Sequence, residues 1–228
     1  MKSKIIRLIL LLSTAFILFI ATRQYLGYHY LSKYKSLRSE VKSIESGFAA
    51  LEGALKKAVR FSKNPTFYQE LGRLYLERAM AEIKFGTAEK REFYLDCARD
   101  VFAAEINRNP IDSWAYYDMA RVWMLYNFPL QTYAEKGRFY CRKALEFNPA
   151  NEFLNLNILY AYLTQWNDLS DEEKSFSFKQ LEKMVRDREN FLGQLRRRWM
   201  ENVKDEGKLK EILMGDKVLW DKVKGSFN

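Results

Sequence analysis

The hydrophobic positions of this chain follow two different patterns along its length. Residues 8–21 form one apolar run, and from Leu37 onward the apolar residues recur at the three- and four-residue spacing of a helix face. The run predicts a helix with apolar surroundings on all sides, whereas the spaced pattern predicts helices with one buried face. Only 10 glycines and 4 prolines interrupt the 228 residues, so we expect an all-α fold.

The apolar run is long enough to cross a membrane as a helix. Residues 5–21 are interrupted only by Arg7, and 17 residues is the lower end of the length that spans a bilayer. A cleaved signal peptide is the alternative, because basic residues precede the run. Phe19 stands two positions before Ala21, where cleavage requires a small residue. We therefore interpret residues 1–35 as an uncleaved single-pass anchor with its juxtamembrane segment, and expect residues 5–35 to contact the bilayer.

The residues that flank the run predict its depth and direction in the membrane. Tyrosines concentrate where a helix passes the lipid headgroups, and four of them follow the run: Tyr25, Tyr28, Tyr30 and Tyr34. Basic residues close to the N-terminus favour a cytoplasmic N-terminus, which places the rest of the chain on the periplasmic or another extracytoplasmic side. The basic residues between Arg23 and Arg38 act against this orientation.

One apolar stripe runs through the connecting segment, residues 36–64. Its members recur at alternating steps of four and three: Leu37, Val41, Ile44, Phe48, Leu51, Leu55 and Ala58. This spacing predicts a single helix of about 25 residues. The stripe would suit a homodimeric coiled coil through residues 37–58, but three heptads is a minimum for one, and we favour a helix packed on its own chain.

A repeated pattern of aromatic and small residues follows Pro65. Its three copies begin with Tyr68-x2-Leu71-Gly72-x2-Tyr75, Tyr116-x2-Met119-Ala120-x2-Trp123 and Asn155-x2-Ile158-Leu159-x2-Tyr162. The first two copies close with Ala98-x3-Phe102 before Asn109-Pro110, and with Gly137-x3-Cys141-x2-Ala144 before Asn148-Pro149. The pattern predicts helical hairpins. We expect helices over residues 66–85, 88–107, 112–126, 130–147 and 151–165, with turns at Gly86-Thr87 and at Asn127, Phe128 and Pro129. Asp112 is a good N-cap for the third of these helices, and Ser170-Asp171-Glu172-Glu173 forms a capping box that starts a further helix.

Residues 65–187 resemble degenerate tetratricopeptide repeats. Small residues stand where two helices must meet closely, at Gly72, Ala98, Ala120 and Ala144. The spacing departs from the family, because the prolines are 45 and 39 residues apart instead of ~34. The resemblance implies an α-solenoid of about three hairpins. Residues 188–228, which contain further amphipathic segments and Arg196-Arg197-Arg198 on a predicted solvated face, are then expected to form C-terminal capping helices.

The resemblance also implies a concave groove that binds an extended or helical peptide. Aligning the hairpins on their small residues assigns the following side chains to this groove: Gln69, Arg73, Trp114, Tyr117, Arg121, Asn157 and Tyr160. Phe153 and Leu156 belong to the same face, although they would also suit packing against the C-terminal tail. Aromatic and arginine side chains are the common anchors of protein recognition.

Charge and chemistry exclude several classes of function. The net charge is +9, but residues 1–39 contain seven Lys or Arg and no acid, so the remaining 31 basic and 29 acidic residues leave only +2. The basic charge therefore belongs to membrane flanks, and we expect no nucleic-acid partner. The only histidine, His29, lies beside the anchor, and no glycine-rich phosphate loop occurs. We predict no enzyme activity, no cofactor and no metal site.

Cys97 and Cys141 have no metal-ligand spacing and fit either two buried thiols or a disulfide. The sequence as a whole predicts a membrane-tethered scaffold or adaptor that recruits or organises another protein, in a complex of the bacterial envelope. The alternative is a small structural subunit of a membrane complex. In that case the transmembrane helix itself is the packing surface, through the small residues Ser13-Thr14-Ala15.

Overall fold

The computed structural model describes residues 2–126 and 135–227. Within these residues the regular structure is entirely helical and contains no strand, which confirms the all-α prediction. The chain divides into two compact units, Met1–Pro110 and Ile111–Asn228.

The helices of the first unit are α1 (Lys2–Glu40), α2 (Ile44–Phe61), α3 (Pro65–Phe85) and α4 (Ala88–Arg108). Those of the second unit are α5 (Ser113–Tyr126), α6 (Glu135–Phe147), α7 (Glu152–Thr164), α8 (Asp171–Asp187), α9 (Phe191–Asn202), α10 (Glu206–Met214) and α11 (Lys217–Val223). Two short 3-10 helices, Trp166–Asp168 and Lys224–Phe227, complete the described structure. In both units, helices adjacent in sequence pack against each other.

Helix α1 is 39 residues long and continues from the apolar run into the first unit without a break. Its apolar N-terminal part is exposed on all sides and is long and apolar enough to cross a membrane. Its C-terminal part packs on α2 and α3, where Leu31 and Tyr34 are buried. One helix therefore contains both the predicted membrane span and a structural element of the first unit.

This continuity corrects the expectation that all four tyrosines lie among lipid headgroups. Tyr34 is buried in the first unit, and the Tyr30 ring stacks on Phe61 at a centroid distance of 5.6 Å. The Tyr28 ring meets Phe67 edge-on at 5.2 Å. The physical reason is that α2 and α3 cover one face of α1 directly after the apolar run. These rings find protein partners there.

The prediction of one helix along the whole stripe from Leu37 to Ala58 is wrong. Helix α1 ends at Glu40, and Ser43 caps the N-terminus of α2 by accepting a hydrogen bond from the Ser46 amide. A serine side chain at an N-cap satisfies a free backbone N–H and so favours a helix start over helix continuation. Beyond the break the stripe is intact, and its buried members are covered within their own chain, as the favoured interpretation predicted.

The first predicted hairpin is formed by α3 and α4, with the turn at Gly86 and Thr87. Asn64 and Thr87 cap the two helices through their side chains. Gly72 allows the close approach, because a Cβ at that position would lie 2.5 Å from the Phe102 ring. Phe102 is fully buried against this glycine. The small residue at the helix contact was therefore assigned correctly.

The second unit begins with α5 and α6, followed by the pair α7 and α8. The predicted N-cap at Asp112 and the predicted capping box of Ser170 and Glu173 are present, and Asn151 caps the N-terminus of α7. The predicted turn at Asn127, Phe128 and Pro129 lies outside the described residues. The arrangement of these pairs as tetratricopeptide repeats stays a prediction.

A buried polar network fixes α7 to α8. Asn155 is fully buried and donates to the carbonyl oxygens of Pro149 and Asn151. The Gln180 amide, on α8, donates to Asn155 Oδ1 at 2.6 Å and to the Pro149 carbonyl oxygen at 2.9 Å. Because buried amides cost free energy unless they are paired, this network specifies one register between the two helices.

The C-terminal helices cover the apolar faces of α7 and α8. Leu159 and Leu163 of α7 share one core with residues of α8 to α11, and Trp199 lies at its centre, fully buried. The Trp199 indole N–H donates to the Asp205 carbonyl oxygen at 2.6 Å. The predicted packing of the tail on the preceding helices is therefore observed, whereas its role as the cap of a solenoid stays a prediction. Cys97 and Cys141 are both free thiols.

Candidate partner-binding surface

The seven residues assigned to the groove are divided between the two units. Gln69 and Arg73 lie four positions apart on α3 in the first unit, and both are half-buried. The other five lie in the second unit, on α5 and α7. These five residues define a candidate surface that belongs to the second unit alone.

Three aromatic rings of α5 and α7 form the centre of this surface, which we call the aromatic cluster: Trp114, Tyr117 and Phe153. The Trp114 and Phe153 ring centroids are 5.6 Å apart, and Tyr117 meets both rings edge-on at 6.3 and 6.5 Å. Edge-on and tilted contacts at these distances are favourable. Tyr117 is buried, whereas 56% of Phe153 is exposed.

Phe153 and Leu156 differ in packing and exposure, although both were predicted to lie on the same face. Leu156 packs against the core formed with the C-terminal helices, as the tail-packing alternative predicted. Phe153 is exposed in the aromatic cluster, as the groove alternative predicted. One face of α7 therefore contains a residue that packs on the C-terminal helices and another that is exposed.

Asp118 and Arg121 form an ion pair one turn apart at one side of the aromatic cluster. The Asp118 carboxylate is 1% exposed and lies 3.0 Å from Arg121 Nη1, while the Arg121 side chain keeps 31% of its surface. A buried carboxylate is stable only when it is paired. Asp118 therefore fixes Arg121, and the exposed edge of the guanidinium keeps donors for a second anion.

Arg198 of α9 also lies near the aromatic cluster and was not assigned to the surface from the sequence. It donates to Asn157 Oδ1 at 2.7 Å, and its guanidinium carbon is 4.8 Å from the centre of the Tyr160 ring. Asn157 in turn donates to the Phe153 carbonyl oxygen at 2.6 Å. Asn157 and Tyr160, which were both predicted to lie in the groove, therefore hold the Arg198 side chain in place through a hydrogen bond and a cation–π contact.

The prediction that Arg196, Arg197 and Arg198 are a solvated face holds only for Arg197. Arg196 pairs with Glu206 at 2.5 Å and donates to the Ser226 carbonyl oxygen. Arg197 is exposed. The partners of the other two are 10 to 41 positions away in sequence, so no local pattern indicates them.

Burial and the two nearby arginines have opposite effects on the pKa of Tyr117. Burial raises the pKa of Tyr117, and this effect exceeds the lowering by the nearby charges of Arg121 and Arg198. Both arginines therefore act on the same phenol from their separate helices. The surface combines one exposed ring with two fixed guanidinium groups, an arrangement suited to a segment with apolar and acidic side chains.

A shallow cavity of about 540 Å³ lies elsewhere in the second unit, between α6 and the start of α8. Its arginines are already paired, Arg138 with Glu173 and Arg142 with Glu172, each at 2.7 Å. Among the described residues, no group of three or more His, Cys, Asp or Glu could hold a metal ion.

Comparison with known proteins adds no relative. No protein-family model, no curated protein and no solved structure matches this chain.

Proposed function

We propose that this protein is a membrane-tethered scaffold whose second unit binds a segment of another protein through the aromatic cluster. The observation that carries the proposal is the exposed Phe153 ring, held by Trp114 and Tyr117 and flanked by Arg121 and Arg198. Exposed aromatic rings next to arginines are the residues that most often dominate binding energy at protein interfaces. The partner segment is expected to carry apolar and acidic side chains.

The tether in this proposal is the apolar part of α1. The helix is long and apolar enough to cross a bilayer, and the side chains of its apolar run are exposed. The basic residues before the run support an extracytoplasmic position of the two units. A tetratricopeptide-like array in a bacterial envelope complex remains the architecture and setting that we propose from the repeat pattern.

The alternative function is a structural subunit that packs through α1 itself. The exposed apolar surface of α1 favours it, because a transmembrane helix of a neighbouring subunit could cover that surface. The Ser13 and Thr14 hydroxyls donate hydrogen bonds to carbonyl oxygens within α1. These short side chains therefore form a small patch with little relief on the helix surface. This patch suits close helix packing.

Site-specific photo-crosslinking of the full chain in its native membrane distinguishes the two functions. A photoreactive phenylalanine analogue is placed at position 153, at position 16 in the apolar run, and at position 218 as the control, because Phe16 and Val218 are exposed as well. The scaffold predicts one strong protein adduct at position 153 that is absent at position 218. Protein adducts at position 16 alone would support the subunit and contradict the scaffold.

A further inference from the structure

The end of α2 is fixed at the level where the apolar run of α1 ends. Arg23 is the first charged residue after that run. Its Nε donates to the Phe61 carbonyl oxygen at 3.1 Å, and its Nη2 donates to the Arg60 carbonyl oxygen at 2.9 Å. The last carbonyls of a helix lack partners within the helix, and a cation beside them is favourable.

Further contacts hold the connection between α2 and α3 against the same part of α1. The Ser62 hydroxyl donates to Gln24 Oε1 at 2.7 Å, and the Asn64 amide donates to the Tyr28 hydroxyl at 3.0 Å. Gly27 permits this approach, because a Cβ there would lie 2.6 Å from the Ser62 Cβ. With a rise of about 1.5 Å per residue, all of these contacts lie within about 10 Å of the end of the apolar run.

This end of the first unit is basic. From Gly53 to Gln69 the sequence contains four basic residues and no acid. Lys56 is paired with Glu52, and Lys57 lies over the Tyr30 ring at 5.5 Å. Arg60 and Lys63 are exposed, and neither has an acidic partner among the residues that the structure describes.

Two hollows flank the Arg23 contact, and each combines a basic residue with apolar surface of the span. One, of about 310 Å³, is lined by Phe19, Ile20 and Phe61 together with Lys63. The other, of about 360 Å³, is lined by Phe19, Leu26 and Phe61 together with Arg60. This arrangement is complementary to a phospholipid. The apolar walls suit its upper acyl carbons, and the basic residue suits its phosphate.

We propose that this end of the first unit binds anionic phospholipids of the leaflet in which the apolar part of α1 ends. Arg60 and Lys63 bind the headgroups, and the acyl chains lie against Phe19 and Phe61. The inference rests on the proposed membrane insertion of α1. It extends that proposal, because it makes the lipid a specific ligand and holds the first unit against the bilayer instead of leaving it free on a tether.

The test measures lipid selectivity of the full chain. The protein is reconstituted into vesicles of phosphatidylcholine alone or of equal parts phosphatidylcholine and phosphatidylglycerol. Spin-labelled forms of the two lipids report their relative association with the protein. Near a membrane, one basic residue contributes about fivefold in affinity for an anionic surface, so we expect the variant R60Q/K63Q to lose roughly tenfold or more of the phosphatidylglycerol preference.

The matched control is K84Q/K90Q, which removes the same charge from exposed positions beside the α3–α4 turn. It is expected to keep the wild-type preference within about twofold, because its charges lie outside the basic end of the unit. An unchanged preference in R60Q/K63Q would overturn the proposal. So would an equal loss in both variants, since that would indicate only net charge.

Insertion is measured in the same vesicles by flotation after alkaline washing. Protein that floats but shows no preference for phosphatidylglycerol contradicts the lipid site alone and leaves the anchor standing. Protein that is washed off both kinds of vesicle contradicts the anchor, and the lipid site with it. Circular dichroism of each variant confirms that these exposed substitutions leave the helices intact.

Discussion

The two units use their polar side chains for different purposes. In the first unit the long-range hydrogen bonds of Arg23, Ser62 and Asn64 join α1 to the end of α2 and the start of α3. In the second unit Asn155 and Gln180 join α7 to α8 inside the core, while Arg198 supports an exposed aromatic ring. In the first unit these bonds therefore fix the other helices relative to the proposed span, whereas in the second unit they fix the core and the proposed recognition surface.

The largest effect is expected from Trp199→Ala. The substitution removes a fully buried indole and leaves its cavity at the centre of the core that α9 to α11 share with α7 and α8, at a cost of about 4 kcal/mol in the free energy of unfolding. Hydrogen exchange would show lost protection across the second unit and retained protection in α2 to α4. Equal loss in both units would contradict their division. The control is Phe153→Ala, an exposed ring.

The next effect concerns the first unit. Gly72→Ala places a methyl group against the Phe102 ring and forces α3 and α4 apart, which should cost about 2 kcal/mol. Chemical denaturation measures the loss. The smaller side chain of Phe102→Leu should recover part of it in the double variant, so that the two substitutions are not additive. Simple additivity would show that the close approach is not the cause.

Glu173 links stability of the second unit to pH. Burial alone would raise the pKa of this carboxyl, but hydrogen bonds from Ser170 and the ion pair with Arg138 outweigh it and lower the pKa below its usual value. The ionised Glu173 carboxylate therefore makes its full contribution to the free energy of unfolding above the unfolded-state pKa. This contribution is lost as the pH falls through the folded-state pKa. Glu173→Gln should cost about 2 kcal/mol at neutral pH and flatten this acid dependence.

The neighbouring Glu172 provides the control for that measurement. Its side chain is 79% exposed and pairs with Arg142, so Glu172→Gln should change the unfolding free energy by no more than about 0.5 kcal/mol. Urea unfolding across the acid range measures both variants. An equal effect of the two substitutions would mean that the capping box and the Arg138 pair contribute nothing specific.

The smallest effect is expected at the recognition surface. Arg198→Ala removes a guanidinium beside the aromatic cluster and should weaken capture of the partner crosslinked at position 153 by about 1 kcal/mol. Arg197→Ala is the matched control, because Arg197 is adjacent and exposed. Titration of the partner onto the full chain compares the two. Equal affinities of the two variants for the partner would show that Arg198 does not contribute to the binding surface.

The sequence predicted the helix boundaries well because their causes are local. Gly86 and Thr87 end one helix and start the next, and the Ser170 and Glu173 pair is complete within four residues. The break at Ser43 was missed because a regular stripe crosses it, and a serine gives a weaker indication than proline.

The candidate site was predicted only in part because its supports are distant in sequence. Aligning the repeated hairpins on their small residues assigned Trp114, Tyr117 and Phe153 to one face. Arg198 contacts Asn157 across 41 positions, and Tyr30 and Tyr28 contact Phe61 and Phe67 from more than 30 positions away. Contacts of this kind depend on how helices are assembled, which no local pattern records.

Because α1 is unbroken, rotation of its apolar part about the helix axis also rotates the helices that pack on its C-terminal part. A helix advances by about 100° per residue, so the face that the span turns toward the lipid sets the direction in which α2 and α3 are carried. One alanine inserted between Ala21 and Thr22 would turn the whole first unit by about that angle and lift it by only about 1.5 Å. The rotation of the proposed span about its own axis therefore determines the direction in which the first unit points along the membrane.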